Sequence, residues 1–332
     1  MKRFVVAFIV FLGMVTIPIV VHGHVKWFTE QEAEREVIEN IITPLFIVIA
    51  MITAVVLAIL PQVLPRLMSI PLLKKIDVKL ERLRPFTFPI LRYGTVVALI
   101  IQVLTGGLFA PELIHPGGLT VILTWIAIGT LLIPHRYATR LGAFILFGLF
   151  GVMVVEYSVF HMIDYVFYIA IFFALIAHQT KWSEWSFPLL YLMTGLSLCW
   201  VAVEKWVYPA MSADIIASHG VPTFGFSPEL FVNLSAFIEF VVGYLLIVGI
   251  LNRLLAFVLT GIFIMTTTLF GVVEIIGHFM IHIILITFII EGVSFYKPPI
   301  KVHEKTIDQM IFVFLNFIFV LSTFVLIYFR FA

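Results

Sequence analysis

Apolar runs long enough to cross a bilayer, separated by short polar joins, fill the chain from residue 41 onward. They fall near 41–62, 86–107, 118–134, 141–157, 161–178, 186–207, 229–250, 254–272, 273–294 and 307–330 and predict ten transmembrane helices. Ahead of them, Met1-Lys2-Arg3 and the apolar stretch Phe4 to Val21 form a signal peptide or signal anchor over 1–23, with a cut after Gly23 as one reading. One run breaks the pattern from within. In VEIIGHFMIHIILITFII, Val273 to Ile290, the polar residues Glu274, His278 and His282 recur every four positions. On a helix of 3.6 residues per turn they share one face within an arc of about 80° and span about 12 Å of axis. An ionisable group in hydrocarbon costs roughly 2.5 to 3.5 kcal/mol, so the stripe needs partners, water or a ligand.

Charge sets the orientation. Arg66, Lys74, Lys75, Lys79, Arg82 and Arg84 crowd the join between the first two spans. The alternate joins repeat the bias with Arg136 and Arg140, Lys181, Arg253, and Lys297, Lys301 and Lys305. Residues 208–228 carry no Lys or Arg, and Thr29 to Asn40 is acidic, so both are expected outside. Glu274 then begins its span at the external face. Glu204 and Lys205 end a span there, Glu156, His161 and Asp164 sit at an external hairpin, and Glu239 lies near mid-membrane. This concentration predicts an outward-facing polar cavity.

With 62% hydrophobic and 12% charged residues and a mean hydropathy of +1.15, little of the chain lies outside the membrane. The expected setting is a multi-pass protein of a bacterial cytoplasmic membrane, with the lipid bilayer and membrane or periplasmic proteins as partners and no nucleic acid. A single cysteine, Cys199, excludes an internal disulfide, a CxxC redox pair and a thiolate metal cage. Electrons, if handled, belong to an outside cofactor or substrate. No phosphate loop, nucleotide fingerprint or nucleophile elbow is present.

The chain also repeats. IGTLLIPHRYATRLGAFILFGLFG, from Ile128, resembles VGYLLIVGILNRLLAFVLTGIF, from Val242, with Gly129 on Gly243 and Arg140 on Arg253. Further on, Val155-Glu156, Met162 and Asp164 have the spacing of Val273-Glu274, Met280 and His282. Two four-helix units in the same orientation are expected, 86–178 and 186–294. They are preceded by an external acidic segment, first span and basic linker over 24–85, and followed by a terminal span at 307–330.

The second unit carries TGLSLCWVAVEKWVYP, FIEFVVGYLLIVGILNR, RLLAFVLTGIF and IIGHFMIH. In these it resembles the DoxX-like family of four-helix membrane proteins; the first unit does so more faintly. The resemblance implies a membrane subunit of an oxidoreductase system, because namesake proteins are associated with thiosulfate oxidation coupled to quinone. It also implies functional roles for Lys205 and Glu239, and for His278 at the Gly-His step. The tandem units, the added His282 and the extra spans depart from the family, so substrate does not carry over.

Several chemistries fit these residues. Glu239, Glu274, His278 and His282 suit proton relay, and Glu204, Lys205, Glu156 and Asp164 suit contacts to a quinone or small external reductant. His278 and His282, four apart, can share a metal completed by Glu204 or Glu156, and either can hold a haem with a ligand from another helix. His24, if made the amino terminus by cleavage, offers a copper-chelating pair. The stripe can equally serve packing, through hydrogen bonds to Thr266, Thr267, Thr268 or a carboxylate. Three functions follow: a redox subunit handling protons and quinol, a transporter or copper-handling protein using the same cavity, and an assembly subunit.

Overall fold

The structure is a computed structural model and describes residues 27–29, 31, 33–68, 71–292 and 305–332. The signal-like segment and His24 lie outside the described residues. Because a bilayer offers backbone groups no partner beyond their own helix, the apolar runs fold as helices. In chain order they are α1 (Ile38–Ile41), α2 (Pro44–Met68), α3 (Pro71–Glu81) and α4 (Thr87–Leu104). A two-stranded antiparallel hairpin, β1 (Gly107–Leu108) and β2 (Ala110–Ile114), comes next. Then follow α5 (Gly118–Leu132), α6 (Arg136–Tyr157), α7 (Val159–Met162), α8 (Phe167–Ala177), α9 (Ser186–Val207) and α10 (Pro209–His219). The last four are α11 (Pro228–Val248), α12 (Asn252–Phe270), α13 (Val272–Glu291) and α14 (Thr306–Phe331).

The protein is an all-α polytopic membrane protein. Among the described residues eight helices are long and apolar enough to cross a bilayer, and α7 with α8 makes a ninth candidate span, bent by 64°. The run expected to span at 118–134 forms α5, whose 15 residues reach only about 22 Å. The connection 208–228, expected outside, is not a plain loop. It contains α10, started by Pro209 and closed by Gly220 in the left-handed conformation.

Neighbouring helices can be followed in a closed circuit: α4, α5, α6, α8, α9, α11, α12, α13 and back to α4. The pair α2 and α14 packs outside it against α9 and α11. Exposed apolar residues such as Ile52 and Val56 on α2, Met265 on α12 and Phe319 on α14 mark lipid-facing sides. Helices α9 and α11 approach closely at a pair of glycines. A Cβ on Gly243 would lie 2.7 Å from the Gly195 carbonyl oxygen and 2.9 Å from the Cys199 amide nitrogen, so only glycine allows this approach.

One end of the circuit is basic. There Arg140, at the start of α6, donates from Nε to the Ile176 carbonyl at 3.2 Å and from Nη2 to that of His178, also at 3.2 Å. Arg253, at the start of α12, donates in the same manner to Ile289 at 2.7 Å and Ile290 at 3.1 Å, and pairs with Asp77 of α3. Each arginine thereby satisfies the last carbonyls of the following span, α8 for Arg140 and α13 for Arg253, where the helix dipole favours a cation. Burial, reinforced by Arg92 and Arg140, holds the His178 imidazole below its ordinary range, and the ring stacks on Phe88 at 3.3 Å.

These contacts fix a register. Arg140 and Arg253 lie 113 positions apart, as do Ile176 and Ile289, and as do Ser158 and Gly271. Ser158 (φ 78°) and Gly271 (φ 66°) are the positive-φ residues at which α6 passes to α7 and α12 to α13. Glu156 therefore does not correspond to Glu274, as the Val-Glu match implies: it lies in the last turn of α6, whereas Glu274 lies in the first turn of α13. The residues three and seven beyond the break are His161 and Tyr165 in one case, Glu274 and His278 in the other.

Candidate functional site

The polar stripe of α13 faces inward at the end opposite the arginines. Glu274 and His278, one turn apart, meet with Oε1 and Nδ1 separated by 3.1 Å, their side chains only 3% and 11% exposed. Thr266 of α12 donates its hydroxyl to the Glu274 carboxylate. The His278 ring stacks on Phe263 at 4.5 Å between centroids. His282, one turn deeper, is half-buried and stands edge-on to Phe263 at 5.9 Å. Thr266 thus bonds to Glu274 rather than to a histidine, and the carboxylate beside His278 comes from its own helix rather than from across the bundle.

The other side of His278 is covered from a distance in sequence. Trp27, just ahead of the acidic segment, lies 5.1 Å from the His278 ring and rests where a Cβ of Gly277 would project. A glycine at this step is thus a seat for the indole. The Trp27 Nε1–H donates to Glu112 on β2, and the Tyr165 hydroxyl donates to the second oxygen of the same carboxylate. His161 Nε2 lies 3.7 Å from it. Tyr157 closes the group, donating to the Glu112 carbonyl at 3.3 Å and accepting from the Ile114 amide at 2.9 Å. Thr266, Glu274, His278, Trp27, Glu112, Tyr165 and His161 form one continuous row of polar and aromatic side chains.

The segment carrying Trp27 is tied down along its length. Phe28 stacks on Phe270 at 4.4 Å, Thr29 donates to Asp214 of α10, and the Glu36 amide donates to the Val207 carbonyl at 2.9 Å. Arg35 donates to the Phe329 and Ala332 carbonyls at 3.2 and 3.3 Å.

A second polar place lies between α9 and α11. Lys205 pairs with Glu239, and the two side chains are 24% and 19% exposed. The pair joins two residues to which the resemblance gives functional roles, and the Gly195–Gly243 contact brings their helices close enough for it. Lys205 also lines a cleft of about 590 Å³ with Arg35, Glu36, Trp206, Glu229 and Asn233. The single expected cavity is therefore resolved into two places, a packed row at His278 and an open cleft at Lys205.

The remaining candidates separate. Glu156 is exposed and apart from Asp164, which is buried beside Tyr165. Glu204 is fully buried and faces Tyr208, whose phenol is pushed up by burial and by Glu204, with Arg35 opposing. Neither Glu204 nor Glu156 joins the two histidines. Among the described residues no group of three His, Cys, Asp or Glu side chains is arranged to hold a metal ion. Glu112, Trp27 and Tyr165 escape sequence reasoning, because a lone acid in a short join and a lone indole carry no periodicity.

Residues 189–272 match the family described as DoxX. The match includes Glu204, Lys205, Glu239 and the Gly195–Gly243 contact, and it ends before Glu274, His278 and His282. No curated protein and no solved structure matches the chain. The chain is a multi-pass membrane protein in which residues 189–272 are similar to the DoxX family.

Proposed function

We propose that the protein is the membrane subunit of an oxidoreductase system in a bacterial cytoplasmic membrane. It exchanges protons at Glu274 and His278 and receives a quinol or small external reductant at the Lys205 cleft. The observation that carries this reading is the Glu274–His278 contact at 3.1 Å, buried in a helix of bilayer length. An acid and an imidazole in direct contact can hand a proton between them, and intramembrane ionisable groups at such positions are functional by default. The DoxX match supports the redox setting, and its Lys205–Glu239 pair gives the cleft a charged wall that can orient a polar head group. The two four-helix units, 86–178 and 186–294, belong to the same proposal, supported by the recurring arginine contacts.

The test is quinol-driven turnover of the complex purified from its native membrane. Glu274→Gln and His278→Gln are expected to slow turnover by about 100-fold or more while leaving complex yield unchanged. Lys205→Gln is expected to raise KM for the reductant more than it lowers kcat. Unchanged turnover with reduced yield would favour the assembly reading. A solute-binding reading has its own support in the open cleft. Uptake into vesicles without electron transfer would favour it.

A further inference from the structure

The row of side chains at Trp27 has two halves, and only one of them contains the residues so far given a role. Three and seven residues beyond their positive-φ breaks, the two spans place His161 and Tyr165 on one side and Glu274 and His278 on the other. The frame around them recurs as well. Gln102 of α4 donates to the Ile276 carbonyl of α13 at 3.0 Å, and Ser197 of α9 donates to the Asp164 carbonyl beside Tyr165. Each unit's first helix thus grips the other unit's last span near its break. In α13 the carboxylate lies on the helix itself. In the first unit it comes from the hairpin, as Glu112.

We propose that Glu112, His161 and Tyr165 form a second proton-binding site, the counterpart of Glu274 and His278, with Trp27 as the bridge between the two. The groups facing Glu112 are His161 of α7, Tyr165 of the following turn, Tyr168 of α8, Tyr157 of α6 and Trp27, with Asp164 next to Tyr165 and His278 of α13 behind the indole. The carboxylate accepts from Trp27 and Tyr165 and has His161 beside it, so a proton arriving at the site can rest on the carboxyl or on the imidazole. A purely structural carboxylate needs no imidazole at that place. Trp27 can donate its N–H to Glu112 and no more, since indole has one donor and no acceptor. It therefore joins the two sites by contact, to Glu112 on one side and the His278 ring on the other, without itself relaying a proton. The pairing of the sites rests on the proton-exchange reading of Glu274 and His278, whereas proton binding at Glu112 does not.

The experiment is infrared difference spectroscopy of the full chain in proteoliposomes, titrated from about pH 3 to about pH 8 to span the ordinary carboxyl range, following the C=O stretch of protonated carboxyl groups. Two titrating bands are expected, one lost in Glu112→Gln and the other in Glu274→Gln. His161→Gln is expected to shift the Glu112 midpoint by removing the neighbouring imidazole, and Trp27→Phe to raise it by removing a donor to the charged form. These two variants test the site even if Glu112→Gln fails to assemble. Absence of any band sensitive to residues 112, 161 or 27 would overturn the inference. Absence of the band assigned to Glu274 alone would overturn the proposed function and leave the Glu112 site standing.

Discussion

The fourth span of each half begins at a positive-φ break, yet the two continue differently. In the first half α7 and α8 bend by 64° around Val166; in the second, α13 runs unbroken from Val272 to Glu291. Both place polar side chains three and seven residues beyond the break. The unbroken helix supplies acid and imidazole from its own surface, four residues apart, while the bent one supplies imidazole and phenol and takes its acid from the hairpin. The geometry around the two breaks is therefore kept while its chemistry is redistributed among elements. Repeated architecture is better recognised from backbone breaks and helix-end contacts than from matching letters.

The sharpest way to separate the halves is at their matched glycines. Gly243 is pressed against Gly195 and Cys199, whereas nothing lies within 4 Å of where a Cβ on Gly129 would stand. Gly243→Ala is expected to destabilise by about 1 to 3 kcal/mol in detergent unfolding. Gly129→Ala should be neutral or stabilise by up to about 1 kcal/mol, through helix propensity alone. Equal effects would mean that the two first-to-second helix contacts are alike after all.

The arginines should divide less strongly. Arg140→Gln and Arg253→Gln each remove charged hydrogen bonds to helix-end carbonyls and are expected to cost about 1.5 to 3 kcal/mol. The Arg253 variant should lie at the upper end, because it also strands Asp77. A thermal unfolding comparison, with Asp77→Asn added to the Arg253 variant, measures that surplus.

The smallest effect is on pH. Burial holds His115, whose Nδ1 lies 3.0 Å from the Thr120 hydroxyl oxygen, below its ordinary value of 6.5, with a hydrogen bond to the Gly107 backbone opposing. A folded value below the unfolded one means that stability is fully present above about pH 6.5 and falls as pH drops through that value toward the folded one. His178, also lowered, acts in the same direction at the other end. Unfolding scans on His115→Gln should show a shallower loss between about pH 7 and about pH 5 than the wild type.

Much of the fold was legible because a bilayer forces apolar runs into helices, and nine of the ten expected spans have the length to cross when the bent pair is taken as one. The Glu274–His278 contact was legible for a similar reason, since a spacing of four on a helix is also a distance. Glu112 was not, because its role arises from a hairpin that joins it to Tyr165, 53 positions away, and to Trp27, 85 positions away. The Glu156–Glu274 match failed because Ser158 and Gly271 share a backbone conformation and no side-chain likeness. The Lys205–Glu239 pair depended on how closely α9 and α11 approach, which Gly195 and Gly243 decide together.

The most direct test of the central claim is a double-mutant cycle on turnover with Glu274→Gln, His278→Gln and the pair. Groups that pass one proton act as a unit, so the double variant is expected to be no slower than the slower single variant. Multiplicative losses, each variant slowing the other's remainder by its full factor, would contradict the account and leave Glu274 and His278 as independent contributors to packing.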